Sequence, residues 1–257
     1  MKILRIPLVI VLVVAAGRTF NADAQTETNL HSFVGSPNDG YSPYAGLVQG
    51  SDGNLYGTTY GGGTNNFGTV FRISPSGSST NLYSFGGGSS DGANPHAGLV
   101  HGSDGNLYGT TEFGGTYSNG IVFRICPGGS YTNLYSFVGS PYDGAYPNGL
   151  AQGSDGSFYG TTYEGGTHSH GTVFRISPSG SYTNLYSFLG YPYDGYLPLA
   201  EVVQGSDENF YGTTQLGGIY DNGTVFRISP SGTYTTLYSF VGSPTDGYQP
   251  AARLCEN

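Results

Sequence analysis

One segment of the sequence occurs four times at a period of about 52 residues, and this repeat limits the fold more than any other feature. Its most regular marker, the tripeptide Phe-Arg-Ile, starts at residues 71, 123, 174 and 226. Within each copy, runs of Val, Ile, Tyr, Phe and Thr are bounded by Gly, Pro, Asp and Asn, which predicts short strands rather than helices. In the first copy we expect four strands, at about 45–49, 54–60, 69–74 and 79–85.

The third and fourth strands carry apolar or aromatic residues on both faces, as in Val70, Phe71 and Ile73. Such a sheet must be covered on both sides, and blades packed around a central channel meet this requirement. A solenoid also repeats, but its coils are usually about 20–30 residues long. The predicted fold class is therefore all-β, a β-propeller of about four to five four-stranded blades. A strand with Phe33 precedes the four copies, and residues 248–252 open a fifth copy. The chain is therefore either a small propeller whose first and last blades meet imperfectly, or an incomplete propeller, truncated from a longer array.

The N-terminal residues predict export. Two basic residues precede an apolar run from Ile6 to Gly17, and Ala22-Asp23-Ala24 has the small-x-small pattern of a signal peptidase site. We therefore expect residues 1–24 to be a signal peptide and residues 25–257 to form one secreted, extracellular β-propeller repeat domain. Because the apolar run is shorter than the roughly 20 residues that cross a bilayer, no transmembrane segment is expected in the mature chain.

Charge and cysteine content limit the partners further. The chain has 17 acidic and 8 basic side chains, a net charge of −9, so it repels phosphate backbones and anionic membranes. We expect no nucleic-acid partner, whereas an extracellular glycan or protein is allowed. Cys126 and Cys255 are the two cysteines; the domain is therefore not a disulfide scaffold, and the sequence does not decide whether they pair.

The repeat, as it stands in residues 46–59 and 68–73, resembles the GloVer (Gloeo/Verruco) tandem repeat of bacterial extracellular proteins. The resemblance covers residues 28–254 and implies an exported protein without an established activity. A weaker similarity to propeller blades of the NHL and lyase-like kind rests on Asp52-Gly53-Asn54-Leu55-Tyr56 followed by Arg72-Ile73. Because propellers host both binding proteins and enzymes, neither similarity selects a chemistry.

Function is expected on the long loops, which join strand four to strand one and strand two to strand three on one face of a propeller. Tyrosine and aspartate recur there and suit sugars, because rings stack on C–H faces while carboxylates accept bonds from hydroxyls. The candidate binding residues are Asp39, Tyr41, Asp91, Asp143, Tyr146, Asp194, Tyr196, Asp246 and Tyr248. Tyr41, Tyr146, Tyr196 and Tyr248 are expected at one place in the repeat. The competing interpretation is that Asp followed by Gly is ordinary turn chemistry.

Residues that break the repeat are better candidates for catalysis than residues found in every copy. The third copy has Glu164, His168 and His170, and two imidazoles with one carboxylate suit a divalent transition metal. No other cofactor and no catalytic residue is predicted. The arginines of the repeated tripeptide, at 72, 124, 175 and 227, are expected to pair with a repeated Asp or with backbone carbonyls, because an unpaired buried charge is costly.

The sequence therefore favours non-catalytic recognition of an extracellular carbohydrate or other polymer through the long-loop face. One alternative is a metal-assisted hydrolase or lyase on the propeller scaffold. The other is a structural or adhesive surface protein. A symmetric binding protein predicts equivalent Tyr and Asp in every copy, whereas an enzyme predicts one copy that differs from the rest.

Overall fold

The computed structural model describes residues 29–255, and the secondary structure in this range consists of 22 β-strands. The predicted signal peptide, residues 1–24, lies outside the described residues. Residues 29–255 contain no helix that is long and apolar enough to cross a membrane. Cys126 and Cys255 both carry free thiols.

Four antiparallel four-stranded sheets, here called blades one to four in chain order, account for the repeat and confirm the predicted all-β propeller class. Blade one contains β1 (Gly40–Tyr41), β2 (Val48–Gln49), β3 (Leu55–Thr59), β4 (Gly61–Gly62), β5 (Thr69–Ile73) and β6 (Ser79–Ser84). Blade two contains β7 (Gly92–Ala93), β8 (Val100–His101), β9 (Leu107–Thr111), β10 (Phe113–Gly114), β11 (Ile121–Ile125) and β12 (Tyr131–Ser136). Blade three contains β13 (Gly144–Gln152), β14 (Phe158–Gly165), β15 (Thr172–Ile176) and β16 (Tyr182–Ser187). Blade four contains β17 (Gly195–Tyr196), β18 (Val203–Gln204), β19 (Phe210–Thr214), β20 (Leu216–Gly217), β21 (Thr224–Ile228) and β22 (Tyr234–Ser239).

The strand order within each sheet follows the chain: β2-β3-β5-β6, β8-β9-β11-β12, β13-β14-β15-β16 and β18-β19-β21-β22. In blades one, two and four a separate two-stranded ribbon joins the two long loops, as where β1 pairs with β4. In blade three the ribbon is continuous with the sheet, so β13 and β14 are longer. The ribbons were not expected from the sequence, because their strands are two residues long and mostly glycine.

A glycine at the centre of the second strand lets the phenylalanine of the third strand lie across it. In blade one a Cβ at Gly57 would lie 2.8 Å from Cζ of Phe71, its cross-strand partner. The same pair recurs as Gly109 with Phe123. The repeated Gly therefore makes room for a buried ring, which contributes about 1.5–3 kcal/mol of hydrophobic stabilisation.

The hydrophobic core lies between the blades, in three clusters that each join one blade to the next. Between blades one and two, Tyr56 and Phe85 pack with Leu107 and Phe123, all almost fully buried. This arrangement explains why the strands are apolar on both faces. Stability is therefore distributed over the blade junctions, as expected for a repeat protein.

Segments at each end of the described range follow the path of neighbouring repeats. Before blade one, the Phe33 ring packs edge-on against Phe71 at 5.0 Å, as Phe85 packs on Phe123 at 5.3 Å. After blade four, the amide of Gln249 donates to the carbonyl of Asn222 at 2.8 Å. Within residues 29–255, no strand pair joins blade four to blade one.

Candidate functional site

The first strands of the blades and the segments before them line a cavity of about 910 Å³, here called the channel. Its apolar wall includes Leu47, Leu99 and Leu150, which hold the same place in three successive copies. Its polar groups are copy-specific: Glu112 directly follows β9 of blade two, Glu164 lies near the end of β14 of blade three, and neither recurs at its place in the other copies. Those two glutamates lie at the end of the channel from which the long loops leave. The channel therefore combines a repeated apolar wall with a non-repeated polar rim.

An ion pair at the channel joins the segment before β18 of blade four to the segment that follows the blade. Arg253 donates from Nη1 to Oε1 of Glu201 at 2.8 Å. Glu201 stands where the second and third copies have Gly98 and Gly149. A Cβ at Gly149 would collide with the Glu201 carboxylate, so this side chain extends over the neighbouring first strand. Glu201 and Arg253 therefore occupy part of the rim with a neutralised pair.

Aromatic side chains of the long loops and of the segments before the first strands make a contact at each of the three blade junctions. Between blades one and two, the Tyr44 ring lies 5.5 Å from Tyr60 and 5.4 Å from His96. Between blades two and three, the Phe113 and Tyr146 rings are 5.5 Å apart and both line the channel. Rings at these separations are in favourable aromatic contact.

The third blade junction also has an aromatic contact, and a carboxylate lies near the rings of the first junction. His170 and Tyr196 are 5.2 Å apart between blades three and four. Burial, with the Glu112 carboxylate nearby, raises the pKa of Tyr60, so this phenol stays neutral. The rim thus offers ring faces, a phenol hydroxyl and the carboxylates of Glu112 and Glu164.

The five candidate aspartates are bonded within the scaffold. Asp143 is 3% exposed; it accepts hydrogen bonds from the Tyr135 hydroxyl and from the amides of Val138 at 2.8 Å and Gly139 at 2.7 Å. Burial, with the Asp143 carboxylate beside it, raises the pKa of Tyr135. Asp91, Asp194 and Asp246 accept from Tyr83, Tyr186 and Tyr238 in the same way, and Asp39 contacts His31. In each case the carboxylate fixes the start of the loop that follows a fourth strand. This agrees with the interpretation that Asp followed by Gly forms a structural turn.

The candidate tyrosines do not all share one place in the repeat. Tyr41 and Tyr196 pair with Gly61 and Leu216 in their ribbons, and the residue at that place in blade three is Ala145. Tyr146 comes one residue later, with a positive φ of 56°, like Ser42 and Leu197. The expected equivalence is therefore wrong for Tyr146. Its different backbone position directs its ring to Phe113 and the channel, whereas Tyr248 is 62% exposed.

The residues considered for a metal do not form a metal centre. Glu164 lines the channel, whereas the His170 Nδ1–H donates to the carbonyl of Leu189 at 2.9 Å. That bond replaces the one that Asn119 donates to Val138 in the preceding blade. The His168 and His170 ring centroids are 6.4 Å apart, and among residues 29–255 no group of three His, Cys, Asp or Glu could hold a metal ion.

The arginine of each copy lies half-buried on the third strand, opposite the tyrosine of the second strand, as Arg72 opposes Tyr56. In the described part of the chain the ion pairs are His31 with Asp39 and Glu201 with Arg253. The expectation that these arginines pair with a repeated Asp is therefore wrong. Asp52 instead accepts bonds from the Asn54 amide group at 2.7 Å and the Tyr56 hydroxyl at 2.8 Å.

Sequence reasoning did not assign Phe113 or Glu201, which both line the channel, to a site. Each differs from its counterparts in the other copies, which is the signal that could have identified it. The channel gathers residues from both long loops and from the first strands, so no single loop carries the whole set.

Solved structures that resemble the chain are propeller proteins. Virginiamycin B lyase from Staphylococcus aureus matches with a TM-score of 0.54 and 23% identity, over 80% of this chain and 57% of the lyase. A streptogramin B lyase matches with a TM-score of 0.53 and 17% identity, over 78% of this chain and 55% of that one. The extracellular domain of a hybrid two-component system from B. thetaiotaomicron matches with a TM-score of 0.56 and 9% identity, over 84% of this chain and 25% of that one. The chain thus spans a little over half the length of the two lyases, and identities this low show a shared fold alone.

Sequence comparisons give a more specific result. No curated protein matches the chain. The family model described as the Gloeobacter/Verrucomicrobia repeat matches residues 15–150 and 87–257. Because these two matches together cover nearly the whole sequence, the protein belongs to the Gloeobacter/Verrucomicrobia repeat family.

Proposed function

We propose that this protein binds an extracellular carbohydrate polymer, without catalysis, at the long-loop end of the channel. The observation that carries the proposal is the aromatic contact at three successive blade junctions, two of which include residues that line the channel. A polymer of repeating rings can contact several of these aromatic groups, because each sugar presents an apolar C–H face for stacking.

The polar groups of the rim fit the same ligand class. Glu112 is half-buried beside Tyr60, and Glu164 is exposed at the end of the channel. Sugar hydroxyls donate to carboxylates, and a neutral phenol both donates and accepts. The aspartates that the sequence suggested support the site indirectly, because they fix the loops that carry the rings.

The extracellular location is part of the proposal. It rests on the signal-peptide pattern of residues 1–24 and on the extracellular origin of the B. thetaiotaomicron domain that shares the fold. A polymer outside the cell would reach the channel without crossing a membrane.

The test is a glycan array followed by calorimetric titration of each polysaccharide that binds. Removing one ring of the blade two–three pair, by Phe113→Ala or Tyr146→Ala, should weaken binding by up to about tenfold, since an aromatic stacking contact contributes about 0.5–1.5 kcal/mol. The control is Tyr142→Ala, because Tyr142 is 77% exposed and lies outside the channel.

Equal loss of affinity in all three variants, or no binding to any polysaccharide, would contradict the proposal. Samples that bind are also analysed by mass spectrometry after incubation. A shortened or unsaturated product would show turnover and replace binding with a lyase or hydrolase activity.

A further inference from the structure

Three glutamates line the channel, and two of them have no basic partner. Glu201 is paired with Arg253 at 2.8 Å, so its charge is neutralised within the chain. Glu112 and Glu164 also line the channel, and among residues 29–255 neither belongs to an ion pair. The channel therefore holds two negative charges that the described part of the chain does not neutralise.

The arginines of the repeated tripeptide lie away from these carboxylates. Each is on a third strand, opposite the tyrosine of the second strand. In blade two, Arg124 opposes Tyr108, and Glu112 comes four residues after Tyr108. At about 3.3 Å per residue of extended chain, this separates the two positions by roughly 13 Å. Glu112 is thus left without an internal counter-charge.

Main-chain contacts hold both glutamates in place. The amide of Glu112 donates to the carbonyl of Asn94 at 3.1 Å. The carbonyl of Glu164 accepts from the Thr162 hydroxyl at 2.8 Å, and Glu164 pairs with Ala145 in the sheet of blade three. Blades two and three each pack against a further blade on both sides, so the two positions do not depend on either end of the described range. The carboxylates are therefore fixed features of the channel.

Glu112 lies beside the aromatic cluster between blades one and two. Burial, together with the Glu112 carboxylate, raises the pKa of Tyr60. The Tyr60 ring is 5.5 Å from Tyr44 and 6.3 Å from His96, which also lines the channel. A cation within about 6 Å of a ring centre is attracted to the ring face. This junction therefore offers one positive group both a carboxylate and aromatic faces.

Glu164 has a similar setting between blades two and three. It lines the channel with Phe113 and Tyr146, whose rings are 5.5 Å apart, and with Tyr163, its neighbour in the chain. Its cross-strand partner is Ala145, the residue before Tyr146. Two successive junctions thus combine a carboxylate with aromatic rings, although the residues come from different places in the repeat.

The geometry points to an amino-sugar polymer, which carries positively charged ammonium groups, as the carbohydrate that the channel binds. This inference rests on the proposed function and names the class of glycan. A neutral sugar that covered the half-buried Glu112 would remove water from a charge without supplying an opposite one, which costs free energy. An ammonium group supplies the opposite charge, while the sugar ring still stacks on an aromatic face. The net charge of −9 also draws cationic polymers toward the chain.

Two other cations match these features less closely. For a bare divalent ion, no group of three His, Cys, Asp or Glu side chains within residues 29–255 could supply the ligands. A lysine-rich peptide carries its charges on flexible stems and lacks the rings that suit the aromatic contacts at successive junctions. An amino sugar combines the ring and the charge in one unit.

The test compares two forms of one glucosamine oligosaccharide, the free amine and the fully N-acetylated form, which differ in the charge on nitrogen. Both are titrated calorimetrically at about pH 6, below the pKa of an ordinary amine. We expect the amine form to bind about tenfold more tightly. Raising the sodium chloride concentration from about 50 to about 500 mM should weaken binding of the amine form severalfold and change that of the acetylated form little.

Removing one carboxylate at a time locates the effect. Glu112→Gln and Glu164→Gln should each weaken binding of the amine form by about threefold to fivefold, as for a partly exposed ion pair, and leave the acetylated form within about twofold. The control is Glu208→Gln, which removes the same charge from an exposed turn between the first and second strands of blade four, at the end of the blade opposite the long loops. This control should change the affinity for neither form.

The outcomes separate this inference from carbohydrate binding as such. Equal affinity for the two forms, or a preference that both channel variants leave intact, would overturn the inference and leave the proposed function standing. Binding of neither form, while the array shows binding to an uncharged or acidic polysaccharide, would also overturn it. If no polysaccharide binds at all, the proposed function fails as well. Tighter binding of an oligolysine peptide of equal charge, with the same losses in both variants, would make a basic peptide the ligand instead.

Discussion

The junction between blades two and three and the contact between residues 29–34 and blade one have the same place in the repeat and different side chains. At the internal junction, Tyr135 stacks on Tyr182 and Phe137 is fully buried. At the N-terminal contact, His31 and Ser79 replace the two tyrosines, and Phe33 is only partly buried. The backbone path therefore does not depend on the aromatic stack, whereas the strength of the junction does. Local stability should rise from the first junction toward the internal ones.

The largest difference in stability is expected between variants of two phenylalanines in equivalent positions, Phe137 and Phe33. Phe137→Ala should lower the free energy of unfolding by about 3–5 kcal/mol, because it leaves a cavity between two packed blades. Phe33→Ala should cost about 1 kcal/mol, because Phe33 lies on one exposed edge. Urea unfolding followed by circular dichroism measures both, and equal costs would show that the N-terminal contact is as tight as an internal junction.

The second-largest difference in stability is expected between the aspartates that follow the internal junction and the N-terminal contact, Asp143 and Asp39. Asp143→Ala leaves the Tyr135 hydroxyl and two buried amides without an acceptor and should cost about 2–3 kcal/mol. Asp39→Ala should cost less than about 1 kcal/mol, because its partner His31 and the surrounding amides can turn to water. Thermal unfolding of the two variants provides the comparison.

Rebuilding the stack should strengthen the N-terminal contact. In the double variant His31→Tyr and Ser79→Tyr, the new pair should add about 0.5–1.5 kcal/mol beyond the sum of the single changes. A double-mutant cycle from thermal unfolding measures this coupling. A coupling near zero would mean that residues 29–34 do not hold the two rings in the geometry of the internal stacks.

A smaller effect is expected for the repeated arginines. Arg124→Leu should change the free energy of unfolding by no more than about 0.5 kcal/mol, because the side chain is half-buried and joins neither of the two ion pairs found in residues 29–255. Calorimetry of this variant beside Phe123→Ala separates the arginine from its packed neighbour. A loss of several kcal/mol would restore the buried-pair interpretation.

The smallest effect is expected in how the melting temperature depends on pH. Hydrogen bonds from Asn54 and Tyr56 lower the pKa of Asp52 below 3.8. A carboxylate with a lowered folded pKa stabilises the fold above its unfolded pKa, and that stabilisation is lost as the pH falls through the folded value. Melting temperatures between pH 5 and about pH 2 should therefore fall less steeply in Asp52→Asn than in the parent; parallel curves would show that Asp52 does not contribute.

Much of the scaffold could be predicted from the sequence because the repeat supplies four observations of each position. Strands two to four of blade one begin and end within one residue or so of the expected bounds, since their apolar runs end at glycine and proline turns. The role of the aspartates could also have been found. Tyrosine precedes aspartate by eight residues in four places, as in Tyr135 and Asp143, and that constant spacing is typical of a scaffold bond.

The channel could not be predicted in the same way. Glu112, Tyr146 and Glu201 occupy three different places in the repeat and meet only because the blades are arranged around one axis. The place of Tyr146, by contrast, could have been read from the sequence. Tyr146 follows Asp143 by three residues, whereas Tyr196 follows Asp194 by two.

The uniformity of the blade junctions has a consequence for how such chains change over evolutionary time. A duplication or loss of one 52-residue unit between two blades leaves every remaining junction with the same stacked tyrosines and the same buried phenylalanine. The residues at the channel rim, by contrast, differ from copy to copy, so the same event brings a new combination of them together. Recombination between repeats can therefore change the set of side chains at the channel while the unit that folds stays unchanged.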